Sequence, residues 1–148
     1  MEHRLELYLQ PGANIYGDSF GGSLQGGVLV NLGSFCLGGG MVYQRIIDEQ
    51  APVQDVGGEI KLGYRLNLGK KLRVIPLISG GVVLQSLVDE DIGLDYHQPA
   101  LFSVAELIVD FRLGDSLLLG ATAGAHLTNN DEMQFMSLHS GLRLSWGL

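Results

Sequence analysis

The chain has 148 residues, 46% of them hydrophobic and only 17% charged, with a net charge of −7 and a single cysteine. That length is expected to make one domain, 1–148. The acidic balance offers no basic stripe for nucleic acid, and one cysteine excludes an internal disulfide framework or a cysteine-built zinc site. No stretch approaches the roughly 18 apolar residues of a membrane-spanning helix.

Eight runs alternate between two kinds of face, which is the period of a β-strand. Residues 4–10 set Leu5, Leu7 and Leu9 against Arg4, Glu6, Tyr8 and Gln10. Residues 19–32 set Phe20, Leu24, Val28, Val30 and Leu32 against Ser19, Ser23, Gln25 and Asn31. Residues 34–44 set Phe35, Leu37, Met41 and Tyr43 against Ser34, Cys36, Gly38, Gly40 and Gln44. Residues 55–68 are the clearest, with Val56, Ile60, Leu62, Tyr64, Leu66 and Leu68 opposed by Asp55, Glu59, Lys61, Arg65 and Asn67. Residues 71–85 set Leu72, Val74, Ile78, Val82 and Leu84 against Lys71, Arg73, Ser79 and Gln85. Residues 101–113 set Leu101, Ala105, Leu107, Val109, Phe111 and Leu113 against Glu106, Asp110 and Arg112. Residues 116–128 set Leu117, Leu119, Ala121, Ala123, Ala125 and Leu127 against Ser116, Thr122, His126 and Thr128. Residues 133–148 set Met136, Leu138, Leu142, Leu144, Trp146 and Leu148 against Ser137, His139, Arg143 and Ser145.

The connections divide by length. Gly33, residues 67–70 and Gly114-Asp115 read as tight turns, while 13–18, 46–53, 86–99 and 129–131 read as longer loops. If both termini share one end, every tight turn falls at that end and every longer loop at the other. A sheet with one apolar and one small, polar face, closed by such connections, predicts an eight-stranded antiparallel up-and-down transmembrane β-barrel, apolar outside and polar inside. The aromatics agree: Phe35, Tyr64, Phe111 and Trp146 are expected outward near the short turns, and Phe20, Tyr43 and Phe102 outward near the loops, as interfacial girdles. The alternative is a soluble, lipocalin-like barrel with the apolar face turned inward around an apolar ligand. The other face, rich in Gly and Ser, is poorly suited to water-facing strands, because glycine weakens them.

The whole chain resembles the small outer-membrane barrels of the outer-membrane protein X and outer-membrane protein A transmembrane type. The most specific element is the last strand, Leu142-Arg-Leu-Ser-Trp-Gly-Leu148, which alternates up to the terminus as the assembly signal of those proteins does, with Leu148 in place of their usual terminal Phe. The resemblance implies a monomer in the bacterial outer membrane, with outer-membrane lipid and lipopolysaccharide around it and the barrel assembly machinery as partner. No signal peptide precedes Met1-Glu-His-Arg, so an exported protein of this kind is expected to carry one upstream in its gene.

The inward charges are the first candidate site. Glu6, Glu59, Lys61, Arg65, Arg73, Glu106, Asp110, Arg112 and Arg143, with Arg4 and Asp55, are expected to pair, because an isolated charge in a narrow interior is costly. Adjacency of strands brings Lys61, Arg65 and Arg73 toward Glu106 and Asp110, and closure of the first strand on the last brings Glu6 toward Arg143. Eight strands leave room only for side chains, so a plugged lumen is expected, with an ion pathway as the alternative. His126-Leu-Thr128-Asn129 is similar to the His-x-Ser-Asn motif of the lipid A 3-O-deacylases, which implies His126 as general base and Thr128 as nucleophile. Thr replaces Ser there, Gln134 stands where a carboxylate would orient the histidine, and the alternation turns His126 inward. The acidic stretch 88–95 lacks calcium-loop spacing and reads as a solvated loop, with weak divalent-cation binding as the alternative. Cys36 reads as a small filler, and Gly21-Gly22, Gly38-Gly39-Gly40 and Gly80-Gly81 precede no helix and so are not phosphate loops. No cofactor and no metal are expected. The role that follows is structural or surface-interacting, with a lipid-modifying enzyme and an apolar-ligand carrier as alternatives.

Overall fold

A computed structural model describes residues 5–47, 53–89, 94–129 and 134–148, apart from the side chains of 87–89, 94–96 and 135. Nine strands account for nearly all of them: β1 (Leu5–Tyr16), β2 (Ser19–Leu32), β3 (Phe35–Ile47), β4 (Val53–Tyr64), β5 (Leu66–Leu68), β6 (Leu72–Asp89), β7 (Leu94–Arg112), β8 (Leu117–Asn129) and β9 (Gln134–Gly147). Successive strands pair antiparallel from β1 to β4 and from β6 to β9, β4 and β5 both pair with β6, and β1 pairs with β9, so the sheet has no free edge. β4 and β5 are one stave of an eight-stave wall. Their register against β6 is the same, with Gly63 opposite Leu77 and Leu66 opposite Val74. Between those pairs stands Pro76, which has no N–H to give, and on the other side of the stave the Arg65 amide donates to the Ser34 carbonyl at 2.6 Å.

One row of paired residues measures the closure. It runs from Leu5 through Val30, Leu37, Leu62, Ile78, Ala105, Ala125 and Leu138 and returns to β1 at Ile15, ten residues further on. This stagger tilts the strands by about 35–45° and closes an interior that side chains alone can fill. The start of β1, the end of β9 and the turns at 33–34, 69–71 and 113–116 share the turn end; the turn at 17–18 lies at the opposite, loop end.

The alternation read from the sequence is realised with its apolar face outward. Large hydrophobic side chains from Leu127, 36% exposed, to Ile60, 69% exposed, cover the outer wall on every stave. Phe35, Tyr64, Phe111 and Trp146 are exposed near the turn end, where Phe35 and Tyr64 pack edge to face at 5.3 Å.

Three expectations change. The stretch 13–18 is not a long loop: β1 runs to Tyr16 against β2, and the chain reverses at Gly17, whose φ of 54° suits glycine. Pro11 sits within the β1–β2 pairing, opposite Leu24. Likewise β6 and β7 extend into 86–99, with Ser86 opposite His97 and Gln85 opposite Gln98; residues 90–93 of the acidic stretch lie outside the described residues. Phe102 points into the lumen, since it shares the parity of Glu106 and Asp110, and its ring lies 5.0 Å from that of His126. The lumen is also less polar than expected. Leu29, Cys36, Ile75, Leu77 and Ile108 line its turn-end half, and Val42, Val83, Ala100, Phe102 and Val104 form an apolar cluster toward the loop end.

Candidate functional site: the barrel lumen

Every second residue of a strand points inward, so the lumen collects side chains from all eight staves. Toward the turn end, Arg73 of β6 is the hub. Its Nη1 and Nη2 donate to the two carboxylate oxygens of Glu6 on β1, at 2.5 and 2.9 Å. Its Nη2 and Nε also donate to Asp110 Oδ2 on the neighbouring β7, at 2.5 and 3.1 Å. The planar guanidinium thus bridges two carboxylates on staves that are not neighbours, a geometry a lysine cannot match. Asn31 Nδ2 donates to Glu6 Oε1 at 2.7 Å, and the Cys36 thiol to Asn31 Oδ1 at 3.2 Å. Arg65 Nη2 is taken up by the Gly33 carbonyl at 2.7 Å.

A second cluster fills the middle. Lys61 Nζ lies 3.0 Å from Glu59 Oε1 and 3.8 Å from Glu106 Oε2, and donates to Gln25 Oε1 at 2.8 Å. Glu106 Oε1 also accepts from Gln10 Nε2 at 2.5 Å and lies 2.9 Å from His139 Nε2. Tyr8 reaches from β1 past β2 and β3 to donate its hydroxyl to Glu59 on β4 at 3.3 Å. It fits because Gly27 and Gly40 lie beneath it: a Cβ at those positions would come within 2.9 and 2.6 Å of the Tyr8 oxygen. Lys61 and Arg143 lie over the Tyr8 ring at 5.1 and 4.8 Å, and the aromatic is attractive to both.

Toward the loop end Asp55, Gln85, Gln44, His126, Thr128 and Ser137 are buried. His126 Nε2, Thr128 Oγ1 and Ser137 Oγ have no hydrogen-bond partner among the described residues.

The sequence-derived set is therefore divided. Glu6, Glu59, Lys61, Arg65, Arg73, Glu106, Asp110 and Arg143 all lie buried in the lumen. Arg112 does not: it shares their parity but is the last residue of β7, at the rim of the wall, and is exposed. Glu6 and Arg143 are not an ion pair. The β1–β9 register sets Gly147, not Arg143, opposite Glu6, and Arg143 turns to Tyr8 and to Ser145 Oγ, at 2.9 Å. Arg4 lies outside the described residues. Tyr8, Gln10, Gln25, Asn31 and His139 belong to the network and were not in the expected set; their inward parity was visible, but which of them meet is decided by reach across the lumen. His126 and Thr128 face the lumen, 4% and 0% exposed, and no carboxylate bonds His126 among the described residues. Gln134 is exposed, opposite Asn129. A base without an orienting acid, and a hydroxyl turned away from the lipid side, do not make a nucleophilic site. Among the described residues no three His, Cys, Asp or Glu side chains form a metal-binding group.

Comparison with known proteins agrees with this architecture. The chain is similar to Neisserial surface protein A, with a TM-score of 0.71 at 9% identity over 97% of this chain and 96% of that one. It is similar to the N-terminal β-barrel domain of Pseudomonas aeruginosa OprF, with a TM-score of 0.61 at 14% identity over 98% and 100%. It is also similar to Ail, the attachment invasion locus protein of Yersinia pestis, with a TM-score of 0.62 at 10% identity over 99% and 100%. No protein-family model matches the sequence, and no curated protein is a detectable relative. The chain has the fold of the small eight-stranded outer-membrane β-barrels.

Proposed function

We propose that the protein is a monomeric barrel of the bacterial outer membrane whose lumen is plugged by its own side chains, with a structural or surface-interaction role. One observation carries this reading: the wall exposes large apolar side chains on all eight staves while four cations and five carboxylates are buried inside. Soluble monomers rarely expose contiguous apolar patches beyond a few hundred Å². In lipid the same wall is well solvated, and a closed sheet leaves no backbone group unpaired at an edge. A carrier with an inward apolar face needs the opposite arrangement. The deacylase-like reading has no support from the placement of His126 and Thr128. Outer-membrane lipid and lipopolysaccharide are the surroundings this reading implies. β9, with Leu142, Leu144, Trp146 and Leu148 on its outer parity, is the segment offered to the assembly machinery.

The test is refolding into phosphatidylcholine vesicles followed by flotation and planar-bilayer recording. The reading expects co-flotation, a folded band that shifts on heating, and no stable open channel. A protein that stays soluble without detergent or lipid defeats the membrane assignment, and steady large conductance steps defeat the plug.

A further inference from the structure

We propose that the turn-end mouth of the barrel binds the phosphate of an anionic glycerophospholipid through Lys70, Lys71 and Arg112; this rests on the membrane reading above. A cavity of about 270 Å³ opens there, lined by these three side chains and Asn67, with Arg73 and Leu118 toward its lumen side.

The distribution of charge singles the place out. The chain has nine Lys and Arg. Lys61, Arg65, Arg73 and Arg143 are buried in the lumen, and Arg4 lies outside the described residues. Of the four exposed ones, Lys70, Lys71 and Arg112 converge on this cavity, and only Arg45 stands elsewhere. None of the three is ion-paired among the described residues, whereas the guanidinium of Arg73 is already engaged by Glu6 and Asp110. Among the described residues Asp18, Asp89 and Asp95 lie at the loop end, and Asp115 is the one acid in the turns of the cationic end. A protein of net charge −7 thus gathers its free cations at one rim.

The apolar surroundings select a lipid over a soluble anion. Lys71 Nζ lies 5.9 Å above the Phe111 ring, and Phe111 belongs to the exposed aromatic set at this end. Leu68 and Leu113, both exposed, flank the same rim on the outer wall. A phosphate seated among the three cations sets its ester-linked chains against that wall at the depth where aromatic girdles meet headgroups. The Gly69 φ of 80° holds the Lys70–Lys71 turn in a conformation that other residues adopt poorly.

The full chain is floated first with pure phosphatidylcholine vesicles, which reads the membrane assignment alone. It is then equilibrated with equal parts phosphatidylglycerol and phosphatidylcholine, and the lipid retained is counted by native mass spectrometry. The wild type is expected to retain phosphatidylglycerol preferentially. The Lys70→Gln/Lys71→Gln/Arg112→Gln variant is expected to lose that retention by about a hundredfold, at roughly fivefold per cation. Arg112→Gln alone is expected to lose about fivefold, and Arg45→Gln is expected to behave as wild type. Co-flotation with no preference for phosphatidylglycerol, or a triple variant that keeps it, overturns the site while leaving the membrane reading standing. Displacement of the lipid by millimolar inorganic phosphate makes the site one for a soluble anion and overturns the lipid. Failure to float overturns both.

Discussion

Two parts of one lumen treat their polar groups differently. From the turn end to the middle, Arg73, Glu6 and Asp110, and then Lys61, Glu59 and Glu106, engage one another, and the Arg73–Glu6 and Lys61–Glu106 contacts cross between staves that are not neighbours in the wall. Toward the loop end His126, Thr128 and Ser137 are as deeply buried, but their Nε2, Oγ1 and Oγ atoms have no hydrogen-bond partner among the described residues, and the apolar cluster around Phe102 lies beside His126. Equal burial therefore does not mean equal weight. A charge whose neutraliser is removed keeps its full desolvation cost, whereas a hydroxyl that bonds nothing takes little with it when it goes.

The largest test of that contrast is Arg73→Met. It strands two carboxylates at once, Glu6 and Asp110, and is expected to cost about 3–5 kcal/mol, the range for breaking a buried ion pair from one side. Urea unfolding in lipid vesicles, followed by the fluorescence of Trp146, measures it. A loss near that of an average surface substitution would mean that the network does not stabilise the folded barrel.

Leu107→Arg sets the lumen against the wall, since Leu107 is the outward neighbour of Glu106 on β7. A charge there is expected to cost about 2–4 kcal/mol in a bilayer, the range for the mid-membrane lipid face. The same substitution in detergent, where the micelle adapts to the charge, is expected to cost less. A neutral outcome in the bilayer would place β7 with its other face to lipid.

The fold was legible because its signal is a period. Leu62, Leu107 and Leu119 announce the wall by parity alone, and Glu59, Lys61, Glu106 and Asp110 announce the lumen in the same way. Pairings across the lumen were less legible. Glu6 was assigned to Arg143 because the two strands touch, yet partners inside a barrel are chosen by side-chain length across the diameter as much as by strand adjacency. Arg73 reaches Glu6 from the other side. Parity also says nothing of where a stave ends, which is why Arg112 was counted inside and is found at the rim. Pro99 was placed in the longer loop 86–99, while here it lies within β7, opposite Leu84.

A double-mutant cycle turns the first of those differences into a measurement. Glu6→Gln with Arg73→Met should couple by about 0.5–3 kcal/mol, since the two share hydrogen bonds. Glu6→Gln with Arg143→Met should come closer to additive. Stronger coupling of Glu6 to Arg143 than to Arg73 would restore the seam pair expected from strand order and contradict the bidentate contact.

Thr128→Val should have the smallest effect, and it bears on both stability and chemistry. Thr128 is fully buried, its hydroxyl bonds nothing among the described residues, and it sits opposite Phe102 on β7. Valine keeps the branched shape that suits a strand and removes only the unpartnered oxygen, so the change should be within about 0.5 kcal/mol of neutral and on the stabilising side if it moves. In a nucleophilic role the same hydroxyl would be indispensable. Incubating wild type and variant with lipopolysaccharide and weighing the lipid A separates the two cases. Unchanged lipid A with both proteins fits a buried residue next to an apolar cluster. Loss of an acyl chain with the wild type, abolished in the variant, would make Thr128 catalytic in spite of its inward direction.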